Sequence, residues 1–465
     1  MRVAAIDQGT TSTRCLIIET GGRWHLSGAR THTQHHRQPG WVEHDPEELL
    51  ANIRALVRAA GPVDAIGIAN QGESCLAWDA LSGATFSPVI VWQDARTGAA
   101  LQAMDAAAHA RAKEISGLPL DAYFSASKLG WILRHSEAAR AAHAAGRLRL
   151  GTTDTFFLDR LCGVFATDAA TASRTGLLDL HRGVWSDELC ALHGVPVSAL
   201  PPIRPVDHGF GAIEGVPVKV SIVDQQAALY GHGCREPGDI KITFGTGAFL
   251  LLVCGPAPVR SPALLPTIAW RRGGQPNVYA LEGGVYDAGA ALEWAHRLGL
   301  YADVAELGTF EGPSAISRGL VFVPALSGLA APYWDREAAP LFIGMRHETG
   351  RRDMIRAVLE GIALLTAELI GEAAAAMPLT RGISIDGGLS QSAYFAQFLA
   401  SAAGVEIRVP AMHELTAIGL AELCGVDCGQ IRAAGAVFQP DASVPETLRA
   451  RFTAAITRAR AWHGV

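Results

Sequence analysis

Two short turns rich in glycine and threonine are the parts of this chain best suited to chemistry. The first is residues 7–14 (DQGTTSTR) and the second is residues 244–247 (FGTG), and each separates two apolar strands. Glycine lets the backbone approach an anion, while free N–H groups and threonine hydroxyls can donate to phosphate oxygens. Either turn alone also fits an ordinary β-hairpin. Together they predict two halves of a protein that face one nucleotide.

Two aspartates lie where such chemistry would need carboxylates. Asp7 ends the first apolar strand beside the first turn. A Mg²⁺ ion there would need an oxygen ligand, because Mg²⁺ keeps most of its waters and takes one or two carboxylates. Asp224 follows the apolar strand 218–223 and begins a helical segment, a position that by itself favours a helix N-cap. The chain lacks a Walker A sequence, which argues against a P-loop nucleotidase.

Length and composition favour a two-domain enzyme. The chain has 465 residues with 49% hydrophobic content, and single cores stop growing at roughly 250 to 300 residues. A net charge of -6 and a pI near 6.2 give no electrostatic reason to bind nucleic acid or an anionic membrane. The longest apolar run, residues 248–254, is too short for a bilayer, which needs about 20 residues. The chain begins with a strand and its eight cysteines are scattered, so we expect a cytoplasmic protein without a signal peptide or membrane insertion.

Four histidines near the N-terminus raise the question of a metal site. His32, His35, His36 and His44 lack a regular ligand spacing, and the polar stretch 31–38 is typical of an exposed loop. We therefore do not expect zinc here.

Strand and helix patterns alternate along the whole chain. Strands are predicted at residues 3–6, 15–18, 65–69, 218–223, 241–243, 248–253 and 382–385. Helices are predicted at residues 46–60, 99–116, 128–145, 288–298, 353–376 and 393–403. Two similar α/β lobes with a cleft between them are the simplest architecture.

An ordered set of segments resembles the FGGY family of carbohydrate kinases, which share the actin and hexokinase superfamily. The segments include DQGTTSTR at 7–14, VIVWQDART at 89–97, VDQQAALYGHG at 223–233, TFGTGAF at 243–249 and DGGLSQS at 386–392. Within the family, the amino-acid sequences of these segments most resemble those of the glycerol kinases. The resemblance implies two ribonuclease H-like (actin-like ATPase) domains with an intervening active-site cleft: residues 1–233, which bind the acceptor, and 234–465, which bind the nucleotide. It also implies ATP and Mg²⁺ as cofactors.

The resemblance also assigns roles to individual residues. Asp224 occupies the family's catalytic-base position, and Asp7 and Asp224 would lie near the metal. The acceptor would be bound by Glu73, Trp92, Tyr123, Asp224, Gln225 and Phe249. ATP would be bound by Thr10, Thr11, Ser12, Arg14, Thr246, Gly247, Gly289, Glu293, Gly388 and Ser392. Read singly, Trp92 and Phe249 also fit an ordinary core, and Glu73 fits a solvated loop end.

Two positions depart from the glycerol kinase pattern. Gly72 replaces an arginine next to Glu73, and Glu293 replaces a common glutamine. Losing a charged donor removes a hydrogen bond of about 1.5 to 3 kcal/mol, enough to change which acceptor binds best. Glycine is also expected to leave room for a longer acceptor.

The leading hypothesis is an ATP-dependent kinase that phosphorylates a terminal hydroxyl of a small polyol, with glycerol as the first candidate. A kinase for a four- or five-carbon polyol or ketose, such as erythritol, ribulose or xylulose, is the alternative. A non-catalytic nucleotide switch or sugar sensor is the alternative from another class. The expected partner is the small-molecule substrate rather than nucleic acid, and a homodimer is possible.

Overall fold

Strands gather into one large sheet in each half of the computed structural model, which describes residues 1–460 and 462. The strands, in chain order, are β1 (Arg2–Gln8), β2 (Ser12–Glu19), β3 (Trp24–Thr31), β4 (Glu43–His44), β5 (Ala65–Asn70), β6 (Cys75–Asp79), β7 (Val89–Ile90), β8 (Leu148–Thr152), β9 (Thr167–Asp168), β10 (Leu178–Asp179), β11 (Val184–Trp185), β12 (Ile203–Arg204), β13 (Ala212–Ile213), β14 (Val216–Val223), β15 (Ile240–Phe244), β16 (Ala248–Gly255), β17 (Leu265–Arg271), β18 (Asn277–Val285), β19 (Val321–Val323), β20 (Leu341–Ile343), β21 (Ile383–Gly387), β22 (Ile407–Pro410) and β23 (Gly435–Phe438).

Helices cover both faces of these sheets. They are α1 (Pro46–Ala59), α2 (Gly98–Gln102), α3 (Ala106–Ser116), α4 (Ser125–His135), α5 (Glu137–Ala144), α6 (Thr153–Cys162), α7 (Ala169–Ser173), α8 (Asp187–His193), α9 (Asp224–Gly231), α10 (Gly289–Arg297), α11 (Arg351–Ala376), α12 (Ala393–Ala403), α13 (Leu415–Leu423), α14 (Gly429–Ala433) and α15 (Glu446–Arg460). None of the helices in the described part of the chain is both long and apolar enough to cross a membrane.

Six strands follow the same order in both sheets when one sheet is read in the opposite direction, and the second sheet has one more strand, β17. In the first sheet the order is β13-β14-β5-β1-β2-β3, and in the second it is β17-β18-β16-β15-β21-β22-β23. In each, an antiparallel hairpin (β1–β2 or β15–β16) carries the glycine turn, and two parallel strands (β5 and β14, or β21 and β22) extend the sheet beside it. The predicted fold class of two similarly built α/β halves is confirmed.

The first sheet has an apolar core on each face, because alternate residues of a strand point to opposite sides. Ala4 and Ile6 of β1 belong to the core that also contains residues of α1. Val3 and Ala5 belong to the core that contains residues of α9 and α13. Burial on both faces explains why the parallel strands are almost uninterrupted apolar runs.

Helices α9 and α13 cross with their backbones in contact. A Cβ atom on Gly231 of α9 would overlap the carbonyl oxygen of Leu415, and one on Gly419 of α13 would overlap that of Ala227. Both positions therefore require glycine. The crossing matters for the site, because Asp224 is the first residue of α9.

Two predicted helices are each divided in the structure. The segment 99–116 forms α2 and α3, and 128–145 forms α4 and α5. Each break is at a capping residue: the side chain of Asp105 accepts a hydrogen bond from the N–H of Ala108, and that of Ser136 accepts one from Ala139. A polar side chain that satisfies the first N–H groups starts a new helix, whereas alanine content alone does not show the interruption.

The prediction of an exposed loop over residues 31–38 is wrong for His32. Its side chain is buried, and its Nε2 lies 2.9 Å from the carbonyl oxygen of Thr10. The ring packs edge-on against that of His44, with 4.7 Å between their centroids. His32 thus contacts the first glycine turn through the Thr10 carbonyl oxygen, and His44 packs against His32.

Candidate active site

Parallel strands bring Asp7 and Asp224 to one edge of the first sheet. Asp7 on β1 is paired with Ala69 on β5, which in turn is paired with Ile222 on β14. Asp224 follows two residues after Ile222 and begins α9, where its Oδ1 accepts a hydrogen bond of 2.6 Å from the N–H of Gln225. Val223 is the N-cap of α9 and makes no side-chain capping bond, so the interpretation of Asp224 as an N-cap is wrong, and its second carboxyl oxygen is left for other contacts.

Burial and nearby acidic groups raise the pKa of both carboxyl groups. Burial, followed by the nearby charge of Glu414, raises the pKa of Asp7 to about 6. Burial and the charge of Asp7 raise the pKa of Asp224 to about 7, against the opposing charge of Lys241. A divalent cation beside them would offset the repulsion. Across residues 1–460 and 462, no cluster of three or more His, Cys, Asp or Glu side chains forms a metal cage. Two carboxylates fit Mg²⁺, which completes its shell with water and phosphate oxygens.

The second glycine turn, residues 245–247, is braced by the start of α10. The N–H of Gly289 donates to the carbonyl oxygen of Gly245 at 3.0 Å, and the N–H of Ala290 donates to that of Thr246 at 2.9 Å. A side chain at Gly289 would collide with the Gly245 carbonyl, and a Cβ at Gly247 would lie 2.6 Å from the carbonyl oxygen of Val285. Glycine is thus needed for close packing of this turn, and the Thr246 side chain is left exposed.

The first glycine turn occupies residues 9–11, between β1 and β2. Gly9 donates its N–H to the carbonyl oxygen of Ser12 at 3.0 Å, while Thr11 is exposed and Ser12 is half-buried. Arg14 leaves β2 toward Glu414 and forms an ion pair of 2.8 Å. Its guanidinium therefore lies near the start of α13.

The six residues predicted to bind the acceptor line one pocket. Thr10 and Thr246 from the two glycine turns line it as well. The predicted lining residues are Glu73, Trp92, Tyr123, Asp224, Gln225 and Phe249. Trp92 donates its indole N–H to the Thr10 hydroxyl at 3.0 Å, and its ring packs edge-on against Tyr123 with 5.6 Å between centroids. The structure thus joins the predicted acceptor wall directly to the first glycine turn.

Glu73 is buried rather than solvated. It has a left-handed backbone, with φ of 56°, which few non-glycine residues adopt. Burial raises the pKa of its carboxyl to about 7, against the lowering effect of Arg174. Strained backbone at a buried carboxyl is typical of a position held for function.

Sequence reasoning missed two charged residues of the pocket. Arg174 and Glu282 both line it. The Nε of Arg174 donates to Glu73 Oε1 at 2.6 Å, and its Nη2 donates to Glu282 Oε1 at 3.0 Å. Glu282 is a single acidic residue inside the apolar strand β18, and Arg174 follows an alanine-rich buried helix. A lone charge within an apolar run is the sequence signal that would have singled out Glu282.

The room expected beside Gly72 is already filled. A Cβ at this residue would lie 2.8 Å from Val223 Cγ2 and 3.9 Å from Arg174 Cγ. The expectation of open space for a longer acceptor is therefore wrong. The pocket also has a guanidinium after all, because Arg174 supplies one from another part of the chain.

Lys241 is a second buried cation next to the pocket. Its Nζ donates to Gln225 Oε1 at 2.6 Å and to the Thr243 hydroxyl at 2.9 Å. Burial lowers the pKa of this amine, although Asp386 and Asp224 oppose the change. Since the amide oxygen of Gln225 is used by Lys241, its NH₂ group is left to face other partners.

The remaining residues predicted to bind ATP are distributed unevenly. Gly388 follows β21, whose last residue Gly387 is paired with Phe244 at the start of the second glycine turn. Ser392 is buried as the N-cap of α12, and its hydroxyl already donates to the carbonyl oxygen of Leu307 at 2.6 Å. The side chain of Glu293 is 74% exposed on α10. The structure thus places Gly388 beside the turn, whereas the Ser392 hydroxyl is paired with Leu307 and the Glu293 side chain is exposed.

Comparison with known proteins agrees with this arrangement. Residues 2–231 match the N-terminal domain of the FGGY family of carbohydrate kinases, and residues 240–428 match its C-terminal domain. Glycerol kinases from Aromatoleum aromaticum and Methylobacterium nodulans are each 40% identical to this chain; the alignments cover 98% of both chains for the first, and 92% of this chain and 89% of the relative for the second. The crystal structure of Plasmodium falciparum glycerol kinase with ADP has a TM-score of 0.89 at 27% identity, covering 98% of both chains. Ligand-bound xylulose kinase from Lactobacillus acidophilus shares the fold, with a TM-score of 0.86 at 20% identity over 99% of this chain and 98% of that one. The chain therefore belongs to the FGGY family of carbohydrate kinases.

Proposed function

We propose that this protein transfers the γ-phosphoryl group of ATP to a terminal hydroxyl of a small polyol, with glycerol as the first candidate. The observation that carries the proposal is that Asp224 shares one pocket with polar and aromatic side chains and with Thr246 of the second glycine turn. A base, an acceptor-binding wall and a phosphate-binding turn are thus within one cleft. The glycerol kinases at 40% identity support the choice of acceptor.

In the proposed reaction, the acceptor hydroxyl attacks the γ-phosphorus. A new P–O bond forms as the bond to the β-phosphate oxygen breaks, and ADP leaves. Asp224 takes the hydroxyl proton. Its pKa of about 7 suits this role, because a base near neutral pH is both ionised and able to accept a proton. Phosphoryl transfer needs mainly alignment and charge neutralisation, since its transition state is loose.

Charge on the phosphates would be met from both halves of the chain. Thr10 and Thr11 of the first glycine turn would donate to the phosphates, as would Ser12 at the start of β2. Thr246 and the N–H of Gly247 would donate from the second glycine turn. Asp7 and Asp224 would hold Mg²⁺, which neutralises phosphate charge when bound. Arg14 is bonded to Glu414 through Nη1 alone, so its other N–H groups would remain for the phosphates.

We place the boundary between the halves after residue 233. The first half would bind mainly the acceptor, and the second half would bind mainly the nucleotide. Closure of the cleft would bring the two substrates together and exclude water, which limits wasteful ATP hydrolysis. A cytoplasmic location suits the eight free cysteines. The homodimer remains a prediction.

An acceptor panel tests the proposed function. ADP release from ATP and Mg²⁺ is measured with glycerol, erythritol, ribulose and xylulose. We expect the highest kcat/KM with glycerol, because Val223 fills the space beside Gly72 that a longer acceptor would need. A higher kcat/KM with a pentulose would overturn glycerol as the acceptor. ATP consumption unchanged by every polyol would instead support the nucleotide switch or sensor.

A further inference from the structure

Arg174 connects the two halves of the chain inside the acceptor pocket. It follows α7 in the first half, and its side chain is 2% exposed. Glu73, which it contacts through Nε at 2.6 Å, belongs to the same half. Glu282, which lies 2.6 Å from its Nη1, belongs to β18 of the second sheet. The ion pair is thus complete only when the two halves are together.

Arg174 has more N–H groups than its two ion pairs use. Nε donates to Glu73, Nη2 donates to Glu282, and Nη1 lies 2.6 Å from Glu282 Oε2 without the alignment of a hydrogen bond between the described residues. A guanidinium has five N–H donors, and buried donors are almost always paired in native proteins. Since Arg174 lines the pocket, a bound acceptor can accept from an N–H that the carboxylates leave.

A hydroxyl group has the chemistry that this wall requires. It can accept from the Arg174 N–H and at the same time donate to the carboxylate of Glu73 or Glu282. With Asp224 included, three carboxyl groups and one guanidinium line the pocket. This excess of acidic groups favours a neutral polyol over an acceptor that carries a carboxylate or phosphate.

The stem of the Arg174 side chain lies beside Gly72 and Val223. The Cβ and Cγ of Arg174 are 4.0 and 3.9 Å from the point where a Cβ of residue 72 would be, and Val223 Cγ2 is 2.8 Å from it. The absent side chain at residue 72 therefore lets Val223 and the stem of Arg174 pack against the backbone. The three residues form one packed unit beside Glu73.

We propose that Arg174 is a specificity-determining residue, positioned by Gly72 and Val223, that binds a non-reacting hydroxyl of a neutral polyol together with Glu282. The inference rests on the proposed function and adds to it the groups that recognise the acceptor. Because Glu282 comes from the opposite half, both halves of the chain contribute to recognition of this hydroxyl.

The test compares glycerol with two diols that each lack one glycerol hydroxyl. Propane-1,2-diol lacks a terminal hydroxyl, and propane-1,3-diol lacks the central one. For the wild type we expect kcat/KM to be about 10- to 100-fold higher with glycerol than with the poorer diol, the range of one charged hydrogen bond. In Arg174→Gln this ratio should fall to within about threefold of 1, while the KM for ATP changes less than twofold. Arg174→Lys keeps the positive charge but loses the planar set of guanidinium N–H donors, and it should give an intermediate ratio of the two kcat/KM values.

Arg174→Gln leaves two buried carboxyl groups without their cation, so its folding is checked by thermal denaturation. Should it not fold, the double variant Arg174→Met/Glu282→Gln, which removes the pair together, is measured in its place with the same expected ratio. An equal loss of kcat/KM with glycerol and both diols would overturn the inference, because a purely structural residue has no preference among acceptors. A wild type that phosphorylates no polyol would refute the proposed function instead.

A second arm examines the packing of residues 72 and 223. Gly72→Ala should lower the melting temperature, because its Cβ would be 2.8 Å from Val223 Cγ2. It should also lower the kcat/KM for glycerol by at least about fivefold. Gly72→Ala/Val223→Ala removes the opposing methyl groups and should recover most of both. Gly371→Ala, at a helical glycine with nothing within 4 Å of its Cβ position, is the matched control. No recovery in the double variant would contradict the positioning role of Gly72 and Val223.

Discussion

Replacing Asp224 with asparagine should make the protein more stable and much less active. The pKa of this carboxyl is raised from 3.8 to about 7, with burial as the main cause and Asp7 as the next. A group with a raised folded-state pKa contributes its full stability below the unfolded pKa, and that contribution is lost as the pH rises through the folded pKa. About three pKa units at 1.36 kcal/mol each set an upper bound of about 4 kcal/mol. Since the side chain is half-buried in a solvated cleft, we expect about 1 to 3 kcal/mol.

The assay is thermal denaturation without nucleotide or Mg²⁺, at pH 8 and at pH 4.5. Asp224→Asn keeps the oxygen that accepts the Gln225 N–H and should melt about 2 to 8 °C above the wild type at pH 8. At pH 4.5 roughly a quarter of this difference should remain, because the carboxyl is then protonated in the folded state. The control Asp353→Asn should melt lower than the wild type, since the Gly350 N–H and Arg318 lower the pKa of that carboxyl.

Turnover of Asp224→Asn with ATP and a polyol should fall by at least about 10², the lower range for a positioned base, while ATP still binds. The reasoning would be refuted by equal melting temperatures at pH 8, or by a difference that does not change with pH. Turnover close to that of the wild type would remove Asp224 from the mechanism.

Two further predictions concern the glycine turns. Gly289→Ala should lower the melting temperature and raise the KM for ATP several-fold, because its side chain would displace the Gly245 carbonyl; Gly371→Ala, measured in parallel, should leave both nearly unchanged or raise stability slightly, and equal effects would contradict the explanation. Trp92→Phe removes the hydrogen bond to Thr10, worth about 0.5 to 1.5 kcal/mol, and should raise the KM for the acceptor about 2- to 13-fold; an unchanged KM in steady-state assays would show that the bond does not hold the ring in place.

Features encoded by neighbouring residues were predictable from the sequence. The glycine turns, the aspartates that end buried strands and the long helix α11 all follow from local patterns of apolar and turn residues. The breaks at Asp105 and Ser136 were missed because the alanine-rich segments on either side favour a continuous helix. Their capping side chains were visible, but capping and solvent exposure have the same sequence signal.

Features that depend on distant residues were not predictable. Arg174 and Glu282 are 108 positions apart, and no role was assigned to either from the sequence. The filling of the space at Gly72 depends on Val223, which reaches it through the pairing of β14 with β5. In both cases the sheet topology decides the contact, and single-sequence patterns carry little information about which distant strands are neighbours.

The glycine crossing of α9 and α13 connects the mechanics of the molecule to its chemistry. The contact is made by backbone on backbone at Gly231 and Gly419, so any added side chain at either position would move one helix relative to the other. Asp224 is at one end of this joint, and Glu414, which binds Arg14, is at the start of the other helix. A rotation at the crossing would change the separation of the base from the first glycine turn. We therefore expect a substitution of Gly231 or Gly419 at this crossing to slow turnover without contacting either substrate.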